Sequence, residues 1–200
     1  PFRWLLAVFA LSGISAAIPA TLFLFFATDR LLLPEYAGLF LVIYFASAVI
    51  ALPAWTMLSK RLGEAQAWLM SMVLSVMVFV WAWQLPAGAL YSFVVICIFS
   101  GAALGADLAL PPALLAGVIG SAGHSGQREG AYFGLWNWMT KMNLALAAGI
   151  ALPMLEWLGY TPGHPSDNGI QALGITYALL PCALKLIAAI VLRRAPLHHV

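Results

Sequence analysis

Charge is what this sequence has least of. Only 8% of its 200 residues are charged, nine Lys or Arg and seven Asp or Glu, against roughly one quarter in soluble domains. That scarcity excludes an ordinary water-soluble domain. The net charge of +2 is carried by scattered cations, which excludes the basic patch that nucleic-acid binding needs. The two cysteines, Cys97 and Cys182, each lie in an apolar segment with no second ligand or pairing signal, so they read as small buried hydrophobes. His124, His164, His198 and His199 fall in loops or the tail and lack the helical spacing of metal ligands. The loops hold no paired aspartates, His cluster or glycine-rich phosphate loop. The chain is therefore expected not to be an enzyme and to need no cofactor. Period-two alternation is also missing, which excludes a β-barrel.

What the sequence has is hydrophobicity: 64% of residues, with a mean hydropathy of +0.97. A bilayer core about 30 Å thick takes around 20 apolar residues per helix. Six such runs occur, near 4–28, 35–57, 65–84, 88–118, 131–155 and 170–192, separated by segments such as "SKRLGEA" and "LGYTPGHPSDNG" that break helices. The expected fold is an all-α polytopic membrane protein with a single transmembrane domain over 1–200. The chain begins at Pro1 and enters an apolar run at Trp4. It reads as the C-terminal part of something longer, not as a chain opening with a cleaved signal peptide.

Alternating spans put the termini and the second and fourth loops on one side. That side holds Arg3, Lys60, Arg61, Arg128, Arg193 and Arg194, and the other holds Arg30 with Asp29, Glu35, Glu156 and Asp167. The positive-inside rule makes the first side cytoplasmic in a plasma (inner) membrane. Trp4, Trp68, Trp83, Trp157 and Tyr160 fall near span ends and are expected to form an aromatic belt. Prolines within or near the ends of spans predict kinks. "SGISAA", "SGAALGA" and "ALAAG" predict close helix packing.

Two cations remain inside spans. Lys141 is about 15 Å from the cytoplasmic end of the fifth span at 1.5 Å per residue, and Asp107, in the antiparallel fourth span, is about 17 Å from the same side. A cation at mid-bilayer costs at least about 2.5–3.5 kcal/mol unless it faces the interior and has a partner. Lys141 and Asp107 are therefore expected to pair and to line a polar cavity or to fasten two helices. Asn137 and Trp138 share the Lys141 face at helical spacing, a polar amide and a flat ring suited to a sugar and also to other amphipathic solutes. Thr140 and Asn143 are expected to serve only helix contacts. Lys185, eight residues before Arg193, is expected to snorkel to the interface.

Three stretches, "AIPATLFLFFATDRL", "LPAWTMLSKRLGEAQAW" and the segment from "GADLALPPALLAGVIG" through "GQREGAYFGLWNWMTKMNLALAAG" to "LGYTP", resemble the C-terminal half of the glycoside-pentoside-hexuronide:cation symporters. These are the melibiose-permease-like branch of the major facilitator superfamily. The resemblance spans essentially the whole chain and implies alternating-access symport of a sugar or glycoside with sodium or protons. It also implies that an N-terminal six-helix half precedes this one, each half an inverted three-plus-three repeat. Lys141 matches the family's fifth-helix lysine near the sugar and cation site, and Asn137 a cavity position. Lys60, Arg61 and Arg128 match the cytoplasmic gate. The family's acidic pair at the end of the fourth helix is replaced here by Gly117 and Gly120, so a gating ion pair is absent or rebuilt with Glu129 or Glu64. The alternatives within the residues' own reading are a carrier of lipid-like or drug-like amphiphiles and a non-transporting membrane scaffold.

Overall fold

In lipid, a chain of long apolar runs closed by polar turns can satisfy its backbone only as helices. The computed structural model describes residues 2–124, 126 and 128–196, and among these it is all-helical apart from turns. Six helices are long and apolar enough to cross a membrane: α1 (Phe2–Arg30), α2 (Pro34–Leu62), α3 (Glu64–Trp83), α4 (Leu90–Ser121), α5 (Glu129–Trp157) and α6 (Asp167–Arg194). His198 and His199 lie outside the described residues. Proline leaves the carbonyl one turn before it without its amide donor. Pro19, Pro53, Pro111, Pro112 and Pro153 all lie inside helices. In α6 a π turn, Ile175–Leu179, directly precedes the segment that holds Pro181.

Both ends of the bundle are tied. Phe2, Arg3, Val118, Ser121, Tyr132 and Val191 line one hollow, so the start of α1, the end of α4, the start of α5 and the end of α6 meet at the end that carries both termini. At the other end the Tyr160 phenol donates to the Asp29 carboxylate, which also accepts from the Gly163 amide at 3.2 Å. Arg30 donates to the Trp83 carbonyl at 3.3 Å, and the Gly88 amide to that of Leu31 at 2.8 Å. Tyr160, expected in an aromatic belt, is instead only 6% exposed, because its hydroxyl closes the α5–α6 loop onto α1.

The packing has an internal two-fold. α4 packs against α2 and α3, α1 packs against α5 and α6, and α3 packs against α6. Exchanging α1 with α4, α2 with α5 and α3 with α6 leaves that pattern unchanged, as an inverted three-helix repeat requires. Glycines sit at both of the corresponding contacts. On α4, Gly101 and Gly105 lie against the backbone carbonyls of Tyr44 and Ala48 of α2, and on α1, Gly13 lies under the Asn143 side chain of α5. Small residues let helix backbones approach where lipid supplies no hydrophobic drive. Two apolar clusters result, one around Phe26, Phe40 and Phe93 and one around Leu5, Trp68 and Leu114. Along their helices Ser12, Ser15, Ser100 and Lys185 fall between the two clusters, and all four are buried.

A Cβ on Gly105 would stand 2.5 Å from the Ala48 carbonyl oxygen. Gly105→Leu should therefore cost about 1–3 kcal/mol, read as a lower melting temperature in detergent. Gly149→Ala, with nothing within 4 Å, should leave it unchanged or raised. Burial, reinforced by the Asp29 carboxylate, pushes the Tyr160 phenol above its ordinary value of 10.0. The folded protein then keeps a proton that the unfolded chain releases near pH 10, so this stabilisation is complete below that value and lost as pH rises beyond it. Melting scans between about pH 9 and 11 should show a shallower decline for Tyr160→Phe than for the wild type.

Candidate functional site

On α6 the buried residues Pro181, Cys182, Lys185, Ala188, Ala189 and Leu192 fall at the i, i+4, i+7 spacing of one helix face. Leu186, Ile187 and Ile190 form the exposed face. Lys185 thus stands in a stripe of small residues that admits neighbouring helices, and it is only 2% exposed. Its ammonium lies 2.6 Å from Asp107 Oδ2 of α4 and donates to Ser12 Oγ of α1 at 2.8 Å. Asp107 Oδ1 accepts from Trp68 Nε1 of α3 at 2.7 Å and, at 3.4 Å, from the Ser12 hydroxyl. One ion pair and three hydrogen bonds join four helices.

This geometry corrects three expectations. Asp107 pairs with Lys185, not Lys141, because equal depth fixes only one coordinate. The Asp107 side of α4 faces α1, α3 and α6, whereas Lys141 lies on the exposed side of α5. Lys185 does not snorkel, since its face is the packed one. Trp68 does not sit in a belt. It is fully buried, and its indole reaches inward to the carboxylate.

Beside the pair lies a cavity of about 20 Å³, lined among others by Ser15, Tyr44, Ser75, Ser100, Asp107 and Lys185. That is about the room one water needs. Tyr44, Phe79 and Ser100 also line a second hollow of about 170 Å³, whose walls include Phe23, Phe40, Phe45, Phe93 and Tyr177. The two together form an aromatic recess with a polar, charged floor between α1, α2 and α4.

The other expected site residues lie elsewhere. α5 buries a narrow stripe, Trp136, Asn143, Ala147, Ala151 and Leu155. Trp136 stacks on Phe9 at 3.6 Å between ring centroids, and Asn143 donates to the Phe9 carbonyl at 3.4 Å. Thr140 donates to the Trp136 carbonyl in its own helix. Asn137, Trp138 and Lys141 share the exposed side, with Trp138 55% exposed. Lys141 has no hydrogen bond or ion pair among the described residues. Lys60 and Arg61, in the last turn of α2, are exposed, as is Arg128. Glu129 accepts from the Gly126 amide at 2.9 Å at the start of α5, and no hydrogen bond or ion pair joins these four among the described residues. The residues that sequence reasoning missed are Lys185, Ser12 and Trp68. The available signal was the run of small residues at i−3, i+3 and i+4 from Lys185, where a snorkelling lysine would have large lipid-facing neighbours.

The sequence model of a family described as MFS/sugar transport protein matches residues 1–199. No curated protein matches the chain.

Removing one member of a buried pair strands the other. Lys185→Met alone should cost about 3–5 kcal/mol, and the neutral double variant Asp107→Asn with Lys185→Met should recover most of it. Detergent melting of the wild type, the two single variants and the double variant checks this, and additive losses would show that the two groups do not interact.

Proposed function

Because the chain belongs to the MFS/sugar transport protein family, we propose that it moves a sugar or glycoside in symport with sodium or protons by alternating access. An N-terminal six-helix half of the same transporter packs across α2 and α5. The observation that carries this reading is the open face of α5, where Lys141 stands without a partner among the described residues, beside Asn137 and Trp138 in the middle of a span. A lone ammonium at that depth is tolerable only against protein or in a water-filled cavity. α2 and α5 are also the least buried of the six helices, the two a second half would cover. There Lys141 and Asn137 hold solute hydroxyls while Trp138 stacks on an apolar sugar face. In the same reading Lys60, Arg61, Arg128 and Glu129 form the cytoplasmic gate, both termini of this segment face the cytoplasm, and the membrane is the inner one.

A second reading, a carrier of lipid-like amphiphiles, draws on the aromatic recess beside Asp107, which suits an apolar group with a polar end. Lys141→Met in the full-length protein separates the outcomes. Loss of a charge-assisted hydrogen bond, about 1.5–3 kcal/mol, should cut uptake of radiolabelled glycosides roughly ten- to hundredfold with membrane expression intact. Normal glycoside uptake would sink the assigned role of Lys141. Uptake of a radiolabelled lysophospholipid in place of glycosides would favour the second reading.

A further inference from the structure

The hollow of about 170 Å³ is built mainly of rings. Phe23 of α1, Phe40 and Phe45 of α2, Phe79 of α3 and Phe93 of α4 line it. Phe40 meets Phe93 edge to face at 4.8 Å between centroids, and Phe23 lies nearly parallel to Phe93 at 6.4 Å, the arrangements that aromatic quadrupoles favour. The hollow is not sealed. Ala20, Leu41 and Phe45 line it and are exposed, so its mouth lies between α1 and α2. An apolar cavity of about 150 Å³ stays dry and admits benzene. This one therefore has room for one six-membered ring with a small substituent.

One polar group is aimed into it. Tyr177 is only 4% exposed, and its hydroxyl makes no hydrogen bond among the described residues. Its oxygen is nonetheless not sealed in by protein, so it faces the open space of the hollow that its ring lines. Tyr44 lines the same hollow, and its hydroxyl is likewise unpartnered among the described residues. Ser100 differs, because it donates to the Ile96 carbonyl of its own helix at 2.7 Å. A buried hydroxyl without a partner is unfavourable, so a ligand that supplies the partner is rewarded. The Tyr177 ring is also held where it stands. It lies in the π turn Ile175–Leu179 of α6 and stacks at 3.9 Å on Phe26, which opens the π turn Phe26–Arg30 of α1. Such turns frequently mark functional sites.

Charge decides against an ion. Asp107 and Lys185 already neutralise each other at 2.6 Å beside the adjoining small cavity, and no other charged side chain lines either space among the described residues. A charged ligand would be buried without a counter-charge.

We infer that the hollow is a binding site for a neutral single-ring aromatic molecule bearing a hydroxyl, a phenol, whose ring packs among Phe40, Phe79 and Phe93 and whose hydroxyl pairs with that of Tyr177. The inference rests on the hollow alone. It holds whatever solute the Lys141 face takes, and it assigns to this hollow a planar ring and not the flexible chain of an amphiphile.

The test uses purified full-length protein in lipid nanodiscs with no sugar present, so that its failure leaves the glycoside reading untouched. Binding of 4-fluorophenol is followed by fluorine NMR, with empty nanodiscs as the blank for partition into lipid. One saturable site per protein is expected, emptied by unlabelled phenol. Benzoate, which carries a charge, should not displace the probe. Cyclohexanol has the hydroxyl without the π face and should bind about two- to tenfold more weakly than phenol. Tyr177→Phe keeps the ring stack, removes the hydroxyl and should weaken binding about two- to tenfold. Ala20→Phe, at the exposed mouth, should fill the hollow and abolish binding while the melting temperature stays near that of the wild type. Absence of a saturable site, cyclohexanol binding as tightly as phenol, displacement by benzoate, or full affinity in either variant would each overturn the inference.

Discussion

The contact between Asp107 and Lys185 is the constraint on which the bundle depends. In lipid, two opposite charges have no water to return to, so each specifies where the other must be. Because Ser12 and Trp68 complete the hydrogen bonding of the pair, the same requirement positions α1 and α3 as well as α4 and α6. Four helices thus converge on one polar point between two apolar clusters. A buried pair contributes little net stability relative to apolar residues of the same shape, but a single wrong register would strand a charge. It acts on specificity of packing more than on strength.

α2 and α5 are attached differently. Apart from Tyr44 in the cavity wall they lie outside the polar point: α2 is held by close backbone approach at Gly101 and Gly105, and α5 by the Asn143 side chain over Gly13. Their remaining surfaces stay open, and on α5 that surface carries Lys141, Asn137 and Trp138. The molecule therefore separates two kinds of intramembrane charge. One is internally neutralised and buried among helices. The other, Lys141, has no ion-pair partner among the described residues and lies on the exposed side of α5.

Much of the architecture was legible because membrane insertion is nearly one-dimensional. Hydropathy and turn residues locate a span without knowledge of its neighbours, and the six helices appear where those patterns put them. Depth along the bilayer normal is less readable: it put Asp107 level with Lys141 and left Lys185 to the interface, whereas Lys185 is the lysine that meets Asp107. Counting residues from a span end fixes neither the azimuth of a side chain nor its neighbours. Trp68 and Tyr160 show the same limit. Both fall near span ends in the sequence, yet each is turned inward by a carboxylate on another helix.

By itself, then, the amino-acid sequence determined the fold class, the number of spans, the isolation of Lys141 in an apolar helix and the small residues that let helices approach. These depend on local composition and on a 3.6-residue period. The tertiary structure alone decided which lysine meets Asp107, that Ser12 and Trp68 join them, and that Ser15 and Asp107 share one cavity. Those facts depend on the rotation and order of helices around the bundle. That order is set by contacts between residues 39 to 173 positions apart, which no local pattern encodes.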